Sequence, residues 1–524
     1  MTAATSLWAQ DPFNLYLEPL NIPEVSGLQS YAFGQDSNGR WLLVGGRIDG
    51  LHRRQPWASF DVSGNNTQLI VIDPVAKQKW SASLSSLPTS MQEQLSSTNM
   101  NFYQEGDYLY CIGGYGYSAT QSDHTTFPYL TAIKVPDVIN AIINNTSFTA
   151  YFRQITDTAF QVTGGRLRKI YDVYHLLGGQ KFLGRYNPMG GPTFTQQYTN
   201  QIRRFQIQDN GATITVTHLP PFTDAARLHR RDYNAEPQIL PNGEEGVTMF
   251  SGVFQTTADV PFLDAVTVDS SGYAVDSGFQ QYYNHYHCAS IPLYSAMHNE
   301  MHTVFFGGIA QYYDSAGVLV QDNNVPFVKT IARVTRDSTG QMAEYKLPIE
   351  MPALLGAGAE FIPASGVPHY PNGVVKLDEL TADTTLLGYI YGGIESSAPN
   401  IFWINDGTQS IATSRIFKVY LIKDSLLTST HQLNRHSRAS LQMEIYPNPS
   451  DGYFTVRYHL QRPGQVSLYL RTVDGKILYH RTFSRQSAGP HIHTLRDLRL
   501  PRGTYFVTLT TPWETLTRKL IYKR

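Results

Sequence analysis

The chain has 524 residues, a formal net charge of -1, and 41 glycines, 29 prolines and 33 tyrosines, a balance suited to many short strands joined by turns. Near-neutrality leaves no cationic field for a phosphate backbone, which excludes nucleic acid as a main partner. No run of 18 apolar residues occurs, so no transmembrane helix is expected.

Residues 1–10, MTAATSLWAQ, have the small and apolar character of the tail of a secretory signal. The organising pattern follows: Leu42-Leu43-Val44-Gly45-Gly46, a short apolar run closed by two glycines. Relatives of it end at Gly113-Gly114, Gly178-Gly179, Ser251-Gly252, Gly307-Gly308 and Gly392-Gly393. Six copies separated by 68, 65, 73, 56 and 85 residues predict a repeat of β-built units, an all-β propeller of six blades.

The first copy extends into four antiparallel strands over 28–33, 41–44, 68–72 and 79–84, with Asp36-Ser37-Asn38-Gly39 and Asp73-Pro74 as turns. Third strands are expected at 130–135, 201–207, 264–268, 328–334 and 415–422, and outer strands at 149–154, 214–219, 273–279 and 343–347. The sixth copy lacks an outer strand. Residues 13–20 share the outer-strand pattern and are expected to pair there, closing the ring and removing an exposed edge. Cys111 and Cys288 fall in repeats two and five and are expected to be buried free thiols.

With its double glycine after an apolar strand, and Trp80 near the end of the first blade, residues 11–423 resemble the kelch repeat family. Later blades lack the Trp, Ser251 displaces one glycine, and the steps exceed the family's roughly 50 residues, so the extra length should lie in loops.

Residues 424–440 carry Ser, Thr, His and Arg without apolar periodicity and read as a linker. From 441 to 524 strands alternate with turns, predicting a small β-sandwich, and thirteen Lys and Arg face five Asp and Glu. Tyr446-Pro447-Asn448-Pro449 with Gly452, the turn at Gly475, and Gly503-Thr504-Tyr505 resemble the three ordered motifs of the C-terminal sorting domain of the type IX secretion system of Bacteroidetes. The resemblance implies export through the type IX machinery, removal of the domain by a surface peptidase, and release or attachment outside the cell.

Two polar clusters precede inner strands: Arg230-Arg231-Asp232-Tyr233-Asn234, and the stretch holding His285 and His287. Arg231 to Ser251 and His287 to Gly307 are both 20 residues, so neighbouring blades should present the clusters at one channel mouth. Convergent Arg, His and Tyr suit a glycan, peptide or acidic sugar; equally, such residues tie loops together. His285 and His287, two apart on a strand, would share a face, with His298, Glu300 and His302 nearby, but no metal set, no cofactor and no catalytic triad is evident. Among kelch-like enzymes, an oxidase would need a Tyr, Tyr, His, His copper set that the chain does not securely supply. The expected function is extracellular binding of a glycan, peptide or surface protein by a monomer; the alternative is an enzyme acting on an acidic sugar.

Overall fold

The computed structural model describes residues 12–315, 318–423, 441–460, 463–472, 476–496, 500–511 and 515–523. The signal-like segment 1–10, the linker 424–440 and Gly475 lie outside them. The chain is all-β apart from short helices such as Thr89–Leu95 and Val135–Ile143, and it divides into two compact units, Leu15–Leu421 and one holding Ile422–Arg524. None of the described helices is long and apolar enough to cross a membrane.

In the larger unit the six repeats lie in six sheets, each with its repeat strands side by side. The first comprises Ala32–Gln35, Trp41–Val44, Gln68–Asp73 and Gln78–Ser83, and the next four follow the same order. In the fifth sheet the short Val375–Lys376 adds in parallel beside Ser290–Ser295. The sixth consists of Glu360–Pro363, Thr384–Tyr391, Ile416–Ile422 and, from the other end of the chain, Asn14–Leu20. Glu18 anchors that last strand through Lys418 Nζ at 3.0 Å.

Several expected boundaries change, among them the end of the outer strand at Asp276 and not 279. The innermost strand of the first sheet begins at Ala32, not 28, because Ser30 takes a φ of 54° and turns the chain before the ladder starts. The fourth strand of the second sheet is Phe152–Thr156, preceded by the helix Val135–Ile143, whose Val138, Ile139 and Ile142 bury against the first and second sheets.

Apolar side chains fill the spaces between consecutive sheets. Leu42, Val44 and Leu69 meet Leu109, Cys111 and Ile133 between the first and second, and Tyr110 and Ile112 meet Leu176 and Phe205 between the second and third. Between the sixth and the first, Tyr389, Tyr391 and Ile362 pack on Trp41, Leu43 and Tyr31; the Trp41 and Tyr389 rings lie 5.1 Å apart, edge to face. Cys111 and Cys288 are free and buried, and burial raises both thiol pKa values, that of Cys288 to about 12.

The double glycines knit these neighbours together. The first position of each pair has φ between 53° and 68° in all six sheets, Ser251 included at 59°. At Gly113 a Cβ would stand 1.8 Å from the Val162 carbonyl oxygen, and at Gly392 it would stand 2.2 Å from that of Leu28. The second glycine then donates its N–H to the same carbonyl, Gly114 to Val162 at 3.1 Å and Gly393 to Leu28 at 2.8 Å. At Gly113 and Gly392 a side chain would push the sheets apart, whereas Ser251 fits one by donating its Oγ to the Phe262 carbonyl at 2.7 Å.

Ahead of the innermost strands runs a closed cycle of main-chain hydrogen bonds. Ser30 N–H donates to Gly358 at 2.8 Å, Gly358 to His287 at 3.0 Å, His287 to Asp232 at 3.1 Å, and Asp232 to Gly164 at 2.7 Å. Gly164 donates to Asn99 at 3.3 Å, and Asn99 to Ser30 at 3.1 Å. Each sheet supplies one member, and Ser30, Asn99, Gly164, Asp232 and Gly358 all adopt positive φ.

The C-terminal unit packs two sheets face to face. Leu441–Tyr446, Phe454–Leu460 and Gly489–Leu495 form one, and Gly464–Thr472, Ile477–Gln486, Gly503–Thr510 and Thr515–Tyr522 the other. Phe454, Val456, Leu468, Val507 and Leu520 are among the side chains buried between them.

Candidate functional site

Much of the extra length of the repeats lies in the connection between the second and third strands, where each double glycine stands; the rest lies elsewhere, as in the helix Val135–Ile143 of the second repeat and residues 364–383 of the sixth. These connections span 45–67, 113–128, 178–200, 251–264, 310–326 and 392–415. Two of them carry hairpins, Tyr115–Ser118 with Asp123–Thr126 and Gln180–Gly184 with Phe194–Tyr198, that join into one sheet. Together the six connections wall a cavity of about 600 Å³, within the range of small-molecule sites.

Its floor is the hydrogen-bonded cycle, with Ser30, Asn99, Asp232, His287 and Gly358 all lining it. Beyond the floor lies a void of about 10 Å³, bounded by Arg166, Glu360 and Tyr31, room for a water at most. Glu360 there accepts from Arg166 at 3.2 Å, and His287 Nε2 lies 2.8 Å from its carboxylate. Burial alone would raise the Glu360 pKa, but Arg166 and His287 hold it down to about 2. Burial and Arg166 in turn push His287 below its ordinary value.

Aromatic rings form the walls. His52 stacks on Phe60 at 5.6 Å and meets Tyr186 edge-on at 4.9 Å, and Phe182 stacks on Phe194 at 4.8 Å. At the rim Trp403 is 60% exposed; Arg54 lies over its ring and donates to its carbonyl at 2.7 Å. Burial, with Arg231 and Arg47 nearby, pushes the His52 pKa down to about 4, so the ring is neutral at ordinary pH.

The seven residues singled out from the sequence separate into two groups. Arg231, Asp232 and His287 line the cavity, and adjacent sheets bring Asp232 and His287 into direct main-chain contact. Arg231 pairs with Asp232 and donates to Tyr198 Oη at 3.0 Å. Arg230 turns away: fully buried, it pairs with Asp264, donates to the Ser251 carbonyl at 2.6 Å and lies 4.1 Å over Phe262. Tyr233 donates to the Leu177 carbonyl at 2.8 Å, and Asn234 to that of Tyr286 at 3.0 Å. His285 is fixed between the Gln281 carbonyl, 2.8 Å, and the Gln311 N–H, 2.9 Å.

His285 and His287 lie in a loop, not a strand, and after the positive φ of Asn284 their rings do not share a face. His302 sits on a different element, beside Thr335, and among the described residues no group of three His, Cys, Asp or Glu is placed to hold a metal ion. The aromatic walls were missed in the sequence. Their signal was the excess spacing after each double glycine together with the aromatics inside it.

In the C-terminal unit the sequence motif works as a clasp. Asn448 Nδ2 donates to the Lys519 carbonyl at 2.7 Å while its Oδ1 accepts from Ile521 N–H at 2.9 Å, tying the end of the first strand to the last. Pro447 and Pro449 flank it, the Arg457 guanidinium lies 5.3 Å from the Tyr446 ring centroid, and Gly452 follows at the turn before Phe454. Gly503 opens the strand in which Tyr505 donates to the Pro501 carbonyl at 2.6 Å.

Residues 444–523 match the secretion system C-terminal sorting domain. The sorting domain marks the chain for handling by the type IX secretion machinery and for secretion to the cell surface or extracellular space. No curated protein matches the sequence. Among solved structures, YjhT is 11% identical, with 77% of this chain and 99% of that one covered at a TM-score of 0.41. A fungal alcohol oxidase in complex with copper is 8% identical, covering 98% and 99% at 0.37. PorZ, a surface component of the type IX secretion system of Porphyromonas gingivalis, is 10% identical, covering 95% and 80% at 0.18.

Proposed function

We propose that the chain is an exported binding protein: a kelch-like propeller of six blades over 11–423, a linker at 424–440, and a detachable sorting domain at 441–524. The six sheets in sequence, the packing of the sixth against the first and the closed hydrogen-bond cycle support the ring. One observation carries the binding role, the convergence of all six long connections on one aromatic-walled cavity. A rigid scaffold that gathers its variable loops at one end is built to hold a ligand there. For an enzyme acting on an acidic sugar, the two cavity-lining guanidiniums, Arg231 and Arg47, are already held by carboxylates.

The test is a thermal-shift screen of the purified protein against glycan and peptide panels, repeated with Asn324→Trp, which places a bulky ring at the mouth. A stabilising ligand whose effect vanishes in the variant supports the cavity. A ligand whose effect is unchanged there, or no ligand from either panel, would count against it. Export is checked separately: without 441–524 the protein should stay inside the cell, where surface proteolysis cannot reach it. Cleavage by a surface peptidase should release a product ending between 424 and 440.

A further inference from the structure

Resting on the reading that this cavity is the binding site, we infer that it takes the uncharged end of a glycan and discriminates against carboxylated or sulfated ones. Four ionised side chains line it, Arg47, Arg231, Asp232 and Asp259, two of each sign. Arg47 is held by Asp49, with Nε to Oδ1 at 2.7 Å, and by Asn65 at 2.8 Å, and Arg231 is held by Asp232. The two cavity histidines have lowered pKa values. Among the lining side chains an anionic ligand therefore meets no unpaired cation and would have to displace a carboxylate from its guanidinium, while at the rim Arg54 is engaged by the Trp403 ring and carbonyl. The C-terminal carboxylate of a peptide meets the same obstacle.

A neutral sugar meets what it needs. Its C–H faces match aromatic walls such as Tyr186 and the exposed Trp403 ring, and its hydroxyls need amide partners. Gln196 Nε2 bonds Gln180 Oε1 at 2.5 Å, and Asn323 Oδ1 accepts from Gln311 Nε2 at 2.8 Å. The Gln180 and Asn323 amide nitrogens and the Gln196 carbonyl have no other partner among the described residues, so hydroxyls can take them up. The closed cycle beneath, with only a water-sized void beyond, stops a chain from threading through, which makes the contact end-on.

The experiment uses the full chain on an array printed through the reducing end, carrying neutral oligosaccharides of hexose and N-acetylhexosamine with carboxylated and sulfated counterparts. Hits are measured by calorimetry between 50 and 500 mM salt. Wild type should bind neutral probes with an affinity that changes less than about twofold over that range, since no ion pair forms. Trp403→Ala and Gln196→Ala should each weaken binding about tenfold or more. Asp232→Asn keeps a residue tolerant of positive φ but frees Arg231, and should raise affinity for the carboxylated probes about tenfold.

Preference for anionic probes, salt-sensitive and lost in Trp403→Ala, would overturn the neutral-sugar inference and leave the cavity reading intact. Binding that neither variant alters, or no binding to any probe, would overturn both. Signal that survives a change of the terminal sugar would overturn the end-on geometry.

Discussion

At the scale of single residues, the Arg166–Glu360–His287 cluster makes the larger unit sensitive to acid. Glu360 has its folded pKa depressed to about 2 against an ordinary 4.5, so its contribution is present above about 4.5 and is lost as pH falls toward 2. Denaturant melts of wild type and Glu360→Gln should converge over that window. At pH 7 the variant should be less stable by about 3 kcal/mol, because Arg166 is left buried with a neutral partner. The double glycines give a second contrast. Gly113→Ala places a Cβ on the Val162 carbonyl and should cost more than about 3 kcal/mol, whereas Gly106→Ala, also at positive φ but with open space around it, should cost only about 1 kcal/mol. Equal costs would mean that the glycines serve conformation alone and not the approach of neighbouring sheets.

At the scale of elements, the strand content was legible because apolar alternation and turn residues agree: Trp41–Val44 begins and ends as its pattern predicts, and Gln201–Asp209 begins where expected. The helix Val135–Ile143 was not read, although Pro136 in its first turn, Asp137 and buried Val138, Ile139 and Ile142 carry a helical period. A strand ending in Val135 was assumed to continue into a loop, and that hid it. Leu441–Tyr446 was missed for a similar reason, since its Pro-rich sequel reads as a turn. In the sorting domain, Asn448→Ala removes both bonds of the clasp and should lower its stability by about 1–2 kcal/mol, read as a shift of the C-terminal unit's own melting transition in the full chain. Asn448→Asp keeps the acceptor only and should lie between.

At the scale of the whole molecule, the polar clusters around 230 and 285 were visible as clusters, but not which members face the cavity. Arg231 and Arg230 are neighbours in sequence with opposite fates, one at the cavity and one wholly buried against Asp264. Arg231 bridges Val253 in extended backbone, which sends successive side chains to opposite sides, and which of the two faces the cavity depends on the assembled sheets. The walls were harder still, because five of the six connections give one to three rings each and their convergence exists only once the sheets are assembled. If Asn14–Leu20 completes the sixth sheet in solution, removing residues 1–20 should destabilise the entire larger unit cooperatively, with one transition shifted down and none split off.

Five of the six links in the main-chain cycle join sheets that follow one another along the chain; the sixth, between Ser30 and Gly358, joins the beginning of the unit to its end. A fastener of that kind latches last, since its two halves are synthesised and delivered far apart in time. Until it latches, the facing flanks of the first and sixth sheets, Trp41 and Leu43 on one side and Tyr389 and Tyr391 on the other, have nothing to cover them. Once it latches, the same polypeptide is a hoop whose loosening at any point requires it to give way all round.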